Sequence, residues 1–245
     1  MLRCWLIGII LISAVLGQGI TDIPEATSEN GQIAGVEVIV ADRDFNSLTS
    51  QLKTLAVNID YPLIKNTVMT LAAGTSQNTI PLNADNTTNL KGKFGLYGKM
   101  EVAYKLSLFY SRAAVIIYKT KGTVTETTNA TTSYISDNNY TFIEYPLEAG
   151  INLKFGVFDI QAGLNKTFLY GINQQSVTMV YPNGTTNLGE KKSSFIDQLP
   201  LGLTAGLNYQ VSPKYSIRVR GLVYSSVKYQ LSISIWSKVL QTVRL

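Results

Sequence analysis

Six charged residues lie at alternating positions in segments where apolar and polar side chains also alternate. They are Lys99, Glu101, Glu144, Glu148, Arg218 and Arg220. Two carboxylates close in sequence, such as Glu144 and Glu148, are a pattern that acid–base catalysis uses. The same spacing arises whenever one face of a β-strand is polar. Charges of both signs on such faces predict ion pairs, because an unpaired charge away from water is costly.

The residue types that carry most enzyme chemistry are scarce. The sequence has no histidine, which excludes Ser-His-Asp triads, imidazole metal ligands and the commonest general base. Its single cysteine, Cys4, precedes an N-terminal apolar run, so the rest of the chain offers no thiolate nucleophile or disulfide. We therefore expect no catalytic residue, no metal and no cofactor, and a protein that is not an enzyme.

The composition is apolar but contains no long apolar stretch after the N-terminus. Hydrophobic residues make up 45% of the chain and charged residues only 15%, yet no mature segment reaches the roughly 18 apolar residues of a membrane helix. Apolar residues spread as alternation are typical of a membrane barrel. The net charge of +5 is scattered without a basic run, so we expect no nucleic-acid partner.

The N-terminus has the features of a secretory signal peptide. Arg3 supplies a positive start, an apolar run spans Trp5 to Leu16, and the small residues Gly17 and Gly19 follow. This pattern predicts a signal peptide over residues 1–19; the alternative, a membrane anchor, needs a longer run. Residues 20–32 are polar and predict a loose lead-in, which leaves residues 33–245 for the folded domain.

The hairpin from residue 199 to residue 223 has the clearest strand pattern. Apolar odd-numbered residues alternate with polar even-numbered ones from Leu199 to Val211, and Ser212-Pro213-Lys214 predicts a turn before the next strand. Strands of soluble sheets are usually five or six residues long, whereas a tilted membrane-crossing strand needs roughly 9–11. The length of both strands favours the membrane.

Ten such strands can be marked in the chain, and their connections alternate in length. Short turns are predicted at 62–66, near 105, near 155 and at 212–214, and longer polar connections at 42–50, 76–91, 121–139 and 172–194. Outer-membrane barrels have short periplasmic turns and long external loops. We therefore predict an all-β fold, a transmembrane antiparallel up-and-down β-barrel in outer-membrane lipid. Loops 76–91, 121–139 and 172–194 would face outside, available to protein partners.

The six charged residues would point into the lumen if the apolar faces contact lipid. A barrel of eight to ten strands is about wide enough to be filled by side chains, so we expect a plugged barrel with a structural or interaction role. Two alternatives stay open. One is a narrow pore or small-ligand transport barrel; the other is a soluble secreted β-sandwich that serves as a binding module.

Three hairpin segments carry a further signal. They read KGKFGLYGKMEVAYKLSLFYSRAAVIIYKTKG, FIEYPLEAGINLKFGVFDIQAGLNKTFLYG and LGLTAGLNYQVSPKYSIRVRGLVYS. These segments, within residues 91–229, resemble the PorT-like outer-membrane β-barrel family of bacteroidete bacteria, with residues 143–147 at that family's Ile-Pro-Leu motif. The resemblance implies a barrel in the bacterial outer membrane with eight strands, where the alternation gives ten.

Overall fold

A computed structural model of the chain describes residues 33–44, 49–64, 66–81, 89–129, 132–224 and 228–238. The predicted signal peptide (1–19), the lead-in (20–32) and the last residues of the final strand lie outside the described residues. The described residues contain no helix that is long and apolar enough to span a membrane.

The regular structure of the described residues is entirely β. The strands are β1 (Ile33–Asp44), β2 (Thr49–Ile64), β3 (Thr67–Pro81), β4 (Asn89–Lys91), β5 (Gly95–Leu106), β6 (Phe109–Asn129), β7 (Thr132–Phe155), β8 (Phe158–Tyr181), β9 (Gly184–Gln198), β10 (Gly202–Gln210), β11 (Tyr215–Val223) and β12 (Tyr229–Lys238).

Ten of these strands close into an antiparallel ring. Its order is β1-β2-β3-β5-β6-β7-β8-β10-β11-β12, and β12 pairs back with β1. The short β4 pairs with the end of β3, and β9 pairs with the second half of β8, whose first half pairs with β10. The predicted up-and-down barrel of ten strands is confirmed. The eight strands implied by the family resemblance are wrong for this chain, and a closed ring is not a β-sandwich.

Side chains alternate between lipid and lumen around the whole ring. Large apolar side chains point outward on every ring strand, for example Val38 on β1 and Ile233 and Ile235 on β12. Their neighbours Glu37 and Ser234 are buried inside. A closed barrel with an apolar outer surface is how β structure crosses a bilayer, because every backbone group in the lipid region is hydrogen-bonded to a neighbouring strand.

The turns at one end of the barrel are short, as the sequence predicts. They lie at Asn66, at Ser107–Leu108, at Gly156–Val157 and at 211–214. Asn66, Ser107 and Gly156 adopt positive φ angles of 68°, 53° and 57°, the left-handed conformation that a tight turn requires. By the usual arrangement of outer-membrane barrels this end is periplasmic.

Two of the three predicted external loops are β-hairpins instead. Residues 121–139 continue β6 and β7, and residues 172–194 continue β8, turn at Pro182–Asn183 and return as β9. The sequence favours loops here because Asn and Ser are common in turns. Thr is also a good strand former, and a strand with water on both faces needs no apolar alternation. The remaining connections, 76–91 and 42–50, are shorter than predicted, because β3 and β1 extend into them.

Where the first and last strands of the ring pair, a tryptophan side chain packs against a glycine. Gly35 on β1 is paired with Trp236 on β12, and the indole lies where a side chain at position 35 would stand. A Cβ at Gly35 would lie 2.6 Å from Trp236 Cδ2 and 2.9 Å from the Ile235 carbonyl oxygen. Gly171 lies beneath the ring of Phe195 in the same way. The strand junction therefore depends on the missing side chain.

We predict that Gly35→Ala destabilises the barrel by about 1–3 kcal/mol, because the added methyl overpacks against the indole and the β12 backbone. The matched control is Gly221→Ala, where an added Cβ meets no atom within 4 Å. That variant should unfold at the wild-type urea concentration or slightly higher. Urea titration of protein folded in detergent, read by gel mobility without boiling, compares them. Equal midpoints for the two variants would refute the packing of Trp236 on Gly35.

Candidate functional site

All six charged residues predicted from the sequence lie inside the barrel. They line one continuous interior region with contributions from opposite walls: Lys99 and Glu101 on β5, Glu144 and Glu148 on β7, and Arg218 and Arg220 on β11. The interior also contains charged residues that the sequence analysis did not single out. They include Glu37, Arg43, Asp60, Arg112 and Asp159.

The most buried ion pair crosses the full width of the lumen. Arg43 Nη1 lies 2.6 Å from Glu144 Oε1, and the two side chains are 1% and 4% exposed. Arg43 Nη2 donates to the Tyr118 hydroxyl at 3.0 Å, and that hydroxyl donates to the same Glu144 oxygen at 2.6 Å. Because β1 and β7 are five positions apart in a ring of ten, this triangle ties together strands that face each other.

A second buried carboxylate anchors another bridge. Glu148 on β7 forms an ion pair with Arg220 on β11, three positions away in the ring. The Tyr110 hydroxyl donates to Glu148 Oε1 at 2.7 Å, and the Thr204 hydroxyl lies 3.3 Å from the same oxygen. Glu144 and Glu148 are therefore both engaged by an arginine and a tyrosine. This arrangement suits ion pairing across the lumen.

A third ion pair connects β1 to β5 across the lumen. Lys99 Nζ on β5 lies 3.1 Å from Glu37 Oε2, which also accepts a hydrogen bond from Asn58 Nδ2 at 2.9 Å. The two strands that this pair joins, β1 and β5, are three positions apart in the ring and are not paired through their backbones. Glu101 lies in the same part of the interior as Lys99.

The fourth bridge is completed by an aromatic ring. Arg218 Nη1 on β11 lies 3.1 Å from Asp60 Oδ2 on β2, and Thr70 donates to the other Asp60 oxygen at 2.6 Å. The Arg218 guanidinium carbon lies 4.0 Å from the centre of the Trp236 ring. A guanidinium held between a carboxylate and an indole face is well stabilised.

A mainly apolar layer of buried side chains adjoins this charge network on its outer side. Phe142 is completely buried; its ring stacks on Tyr118 with centroids 5.0 Å apart and on Tyr140 at 5.7 Å, and meets Phe195 edge-on at 6.3 Å. Strands from all around the ring contribute buried side chains to this layer, among them Ala41, Leu52, Ile80, Tyr97, Leu169, Leu199 and Leu222. On the periplasmic side the interior opens into a vestibule of about 180 Å³.

For some of the lumen residues that the sequence analysis did not single out, the alternation pattern already indicated an inward position. Glu37 and Asp60 lie on polar faces that alternation already identifies. Arg43 belongs to the segment predicted as a connection, although β1 extends through it. Arg112, Tyr110 and Tyr118 lie in the segment 107–118. Small and aromatic residues occur on both faces of this strand, so the sequence does not show which face points into the lumen. In the structure their even-numbered positions face the lumen.

The comparisons with known proteins agree on the fold. No family model matches the sequence, and no curated protein sequence matches it. The translocator domain of the autotransporter NalP from Neisseria meningitidis superposes with a TM-score of 0.53 at 13% identity, covering 96% of this chain and 95% of that domain. The β domain of the Bordetella autotransporter BrkA gives a TM-score of 0.55 at 9% identity, covering 86% of this chain and all of that domain.

This chain has an outer-membrane β-barrel fold. Its closed antiparallel ring and apolar outer surface are those of outer-membrane barrels, and both superpositions cover most of the two chains compared. Its location is the bacterial outer membrane, the membrane that barrels of this kind span. In the described residues no group of three or more histidine, cysteine, aspartate or glutamate side chains is arranged to hold a metal ion.

We predict that breaking the Arg43–Glu144 pair from one side is costly. Arg43→Met or Glu144→Gln alone should lower the free energy of unfolding by about 3–5 kcal/mol, since each leaves one buried charge without its partner. The Arg43→Met/Glu144→Gln double variant should lose clearly less than the sum of the two. A urea-unfolding double-mutant cycle measures the coupling.

The rim pair between Lys228 and Asp42 is the control for this cycle. Its atoms lie 3.0 Å apart but its side chains are 19% and 29% exposed. Asp42→Asn and Lys228→Gln should each cost at most about 1 kcal/mol. Additive losses at Arg43 and Glu144, as small as those at the rim, would contradict a coupled pair across the lumen.

Proposed function

We propose that this chain is a non-enzymatic outer-membrane protein with a non-conducting barrel and a structural or interaction role. One observation carries the proposal: a buried, mainly apolar layer around Phe142, with contributions from strands around the ring, lies in the lumen beside the charge network. Ions would have to cross this tightly buried layer and pass four ion pairs that already bridge the walls.

The interaction surface in this proposal is the pair of long hairpins on the external side. The ring ladder between β5 and β6 ends at Tyr118, but β6 continues to Asn129, about 35 Å further along the strand at 3.3 Å per residue. The β7, β8 and β9 strands rise with it. Along residues 184–198 β9 pairs with β8 and with no other described strand. An open strand edge of this kind can accept a strand from a protein partner.

We include membership of the PorT-like family in the proposal. The three segments that carry the resemblance form the β5–β6, β7–β8 and β10–β11 hairpins of the ring. Each segment contains a periplasmic turn and the adjoining parts of both strands. A non-enzymatic role is supported by the lack of histidine in the sequence and by the engagement of both Glu144 and Glu148 in ion pairs.

A narrow pore is the second candidate, favoured by the vestibule that reaches from the periplasmic end to Lys99, Glu101 and Arg220. This vestibule would be the inner half of a channel if the apolar layer moved. Conductance across a planar bilayer separates the two functions. We expect wild-type protein to insert without producing stable current steps.

The layer itself can be tested with two matched variants. Phe142→Ala/Leu169→Ala removes two buried side chains of the layer and should produce current steps. Phe168→Ala/Leu164→Ala removes the same two residue types from the lipid-facing side of β8, where they are 40% and 48% exposed, and should stay silent. Heat-modifiable gel mobility verifies that each variant is folded. Stable current through wild-type protein, no smaller than through the Phe142→Ala/Leu169→Ala variant, would overturn the proposal in favour of a pore.

A further inference from the structure

On the external side, the outward-facing residues of four neighbouring strands, β6 to β9, change from apolar to polar at the same level. Strand pairing aligns their outward residues in rows across the four strands. The last apolar row is Ile117, Ile143, Tyr170 and Ile196. The next row outward is Lys119, Thr141, Ile172 and Ser194, and the one after that is Lys121, Asn139, Gln174 and Lys192. The apolar belt therefore ends in a polar band that contains lysines.

A fourth lysine joins this band from the neighbouring segment. Lys93 pairs with Lys121 through an isolated antiparallel bridge. Paired residues on neighbouring strands are about 5 Å apart and successive outward residues on one strand about 7 Å apart. Lys93, Lys119 and Lys121 therefore form a close cluster, and Lys192 lies three strands away in the row of Lys121. All four side chains are exposed.

No carboxylate lies in the two rows that contain Lys119, Lys121 and Lys192. In the part of the chain that the structure describes, none of the four lysines takes part in an ion pair. The nearest acidic residues in register, Asp137 and Glu190, lie one row further from the membrane, and Asp137 accepts a hydrogen bond from Thr123 at 2.5 Å. Like charges so close together repel each other, so the cluster favours an anion.

The surface between the lysines suits a sugar or phosphate headgroup. Asn139 Nδ2 donates to Gln174 Oε1 at 3.4 Å, and these amides lie in the same row between Lys121 and Lys192. Together they line a depression of about 640 Å³ on the outer part of the hairpins, whose lining also includes Asp137 and Glu190. Amides offer both donors and acceptors, which hydroxyl groups of sugars can use.

We propose that this lysine band binds the phosphorylated headgroup of a glycolipid in the outer leaflet of the outer membrane. The order of the rows argues for a lipid instead of a soluble anion. Acyl chains would contact Ile117, Ile143 and Ile196, while phosphates would meet lysines one or two rows further out, at the level where headgroups lie. Tyr170 in the last apolar row marks the interface, the depth at which aromatic side chains concentrate. The inference depends on the orientation of the barrel and not on whether its lumen conducts.

The experiment measures binding of rough-type lipopolysaccharide to the full chain, folded in a neutral detergent. The test variant is Lys119→Gln/Lys121→Gln/Lys192→Gln. The control variant, Lys53→Gln/Lys154→Gln/Lys214→Gln, removes the same charge from outside the band and its depression: Lys53 lies on β2, Lys154 near the periplasmic end of β7, and Lys214 in a periplasmic turn. We expect the test variant to bind at least ~10-fold more weakly, and the control variant within about twofold of wild type.

Two ligand arms identify what is bound. Lipopolysaccharide treated with phosphatase should bind wild-type protein as weakly as intact lipopolysaccharide binds the test variant. A soluble sugar phosphate at the same phosphate concentration should not compete. Equal affinities of the test and control variants would overturn the site, and full competition by the soluble sugar phosphate would overturn its assignment to a lipid. Heat-modifiable mobility of all three proteins verifies that each is a folded barrel.

Discussion

The pairing of charges across the lumen is the constraint on which this structure depends. The interior of a barrel of this width is screened from water, so a charge that enters it needs an opposite charge nearby. Arg43 reaches Glu144 on the strand directly across the ring, and Arg220 reaches Glu148 three strands away. These bridges exist only when all ten strands are in place and in register, because a one-residue slip would turn the charges toward lipid.

The same constraint separates the two sides of the barrel wall. Inside, ion pairs and the stacked rings of Phe142, Tyr118 and Tyr140 occupy the lumen beyond the periplasmic vestibule. Outside, the apolar belt faces lipid, and the chain carries its distinctive polar features on the hairpins beyond it. Function is then expected on the external strands β6 to β9, where exposed lysines, amides and an open strand edge remain accessible.

Alternation alone predicted the class of the fold, the number of ring strands and the direction in which residues such as Lys99, Glu144 and Arg218 point. A period of two determines which face of a strand a residue occupies, but not which strand lies across the lumen. The partners Arg43 for Glu144 and Asp60 for Arg218 are 101 and 158 residues distant in sequence and emerge only from ring closure. The hairpins at 121–139 and 172–194 were missed because strands with water on both faces need no alternation.

Solid-state NMR of protein in lipid bilayers, with ¹⁵N in arginine side chains and ¹³C in glutamate carboxyl groups, tests the central claim most directly. Dipolar coupling between the Arg43 guanidinium nitrogen and the Glu144 carboxyl carbon should report a separation of about 4 Å or less, and the coupling should vanish in the Glu144→Gln variant while that of Arg220 with Glu148 remains. Such a contact requires a closed ring filled at this level. A wild-type spectrum in which Glu144→Gln removes no coupling would contradict a lumen bridged by this pair.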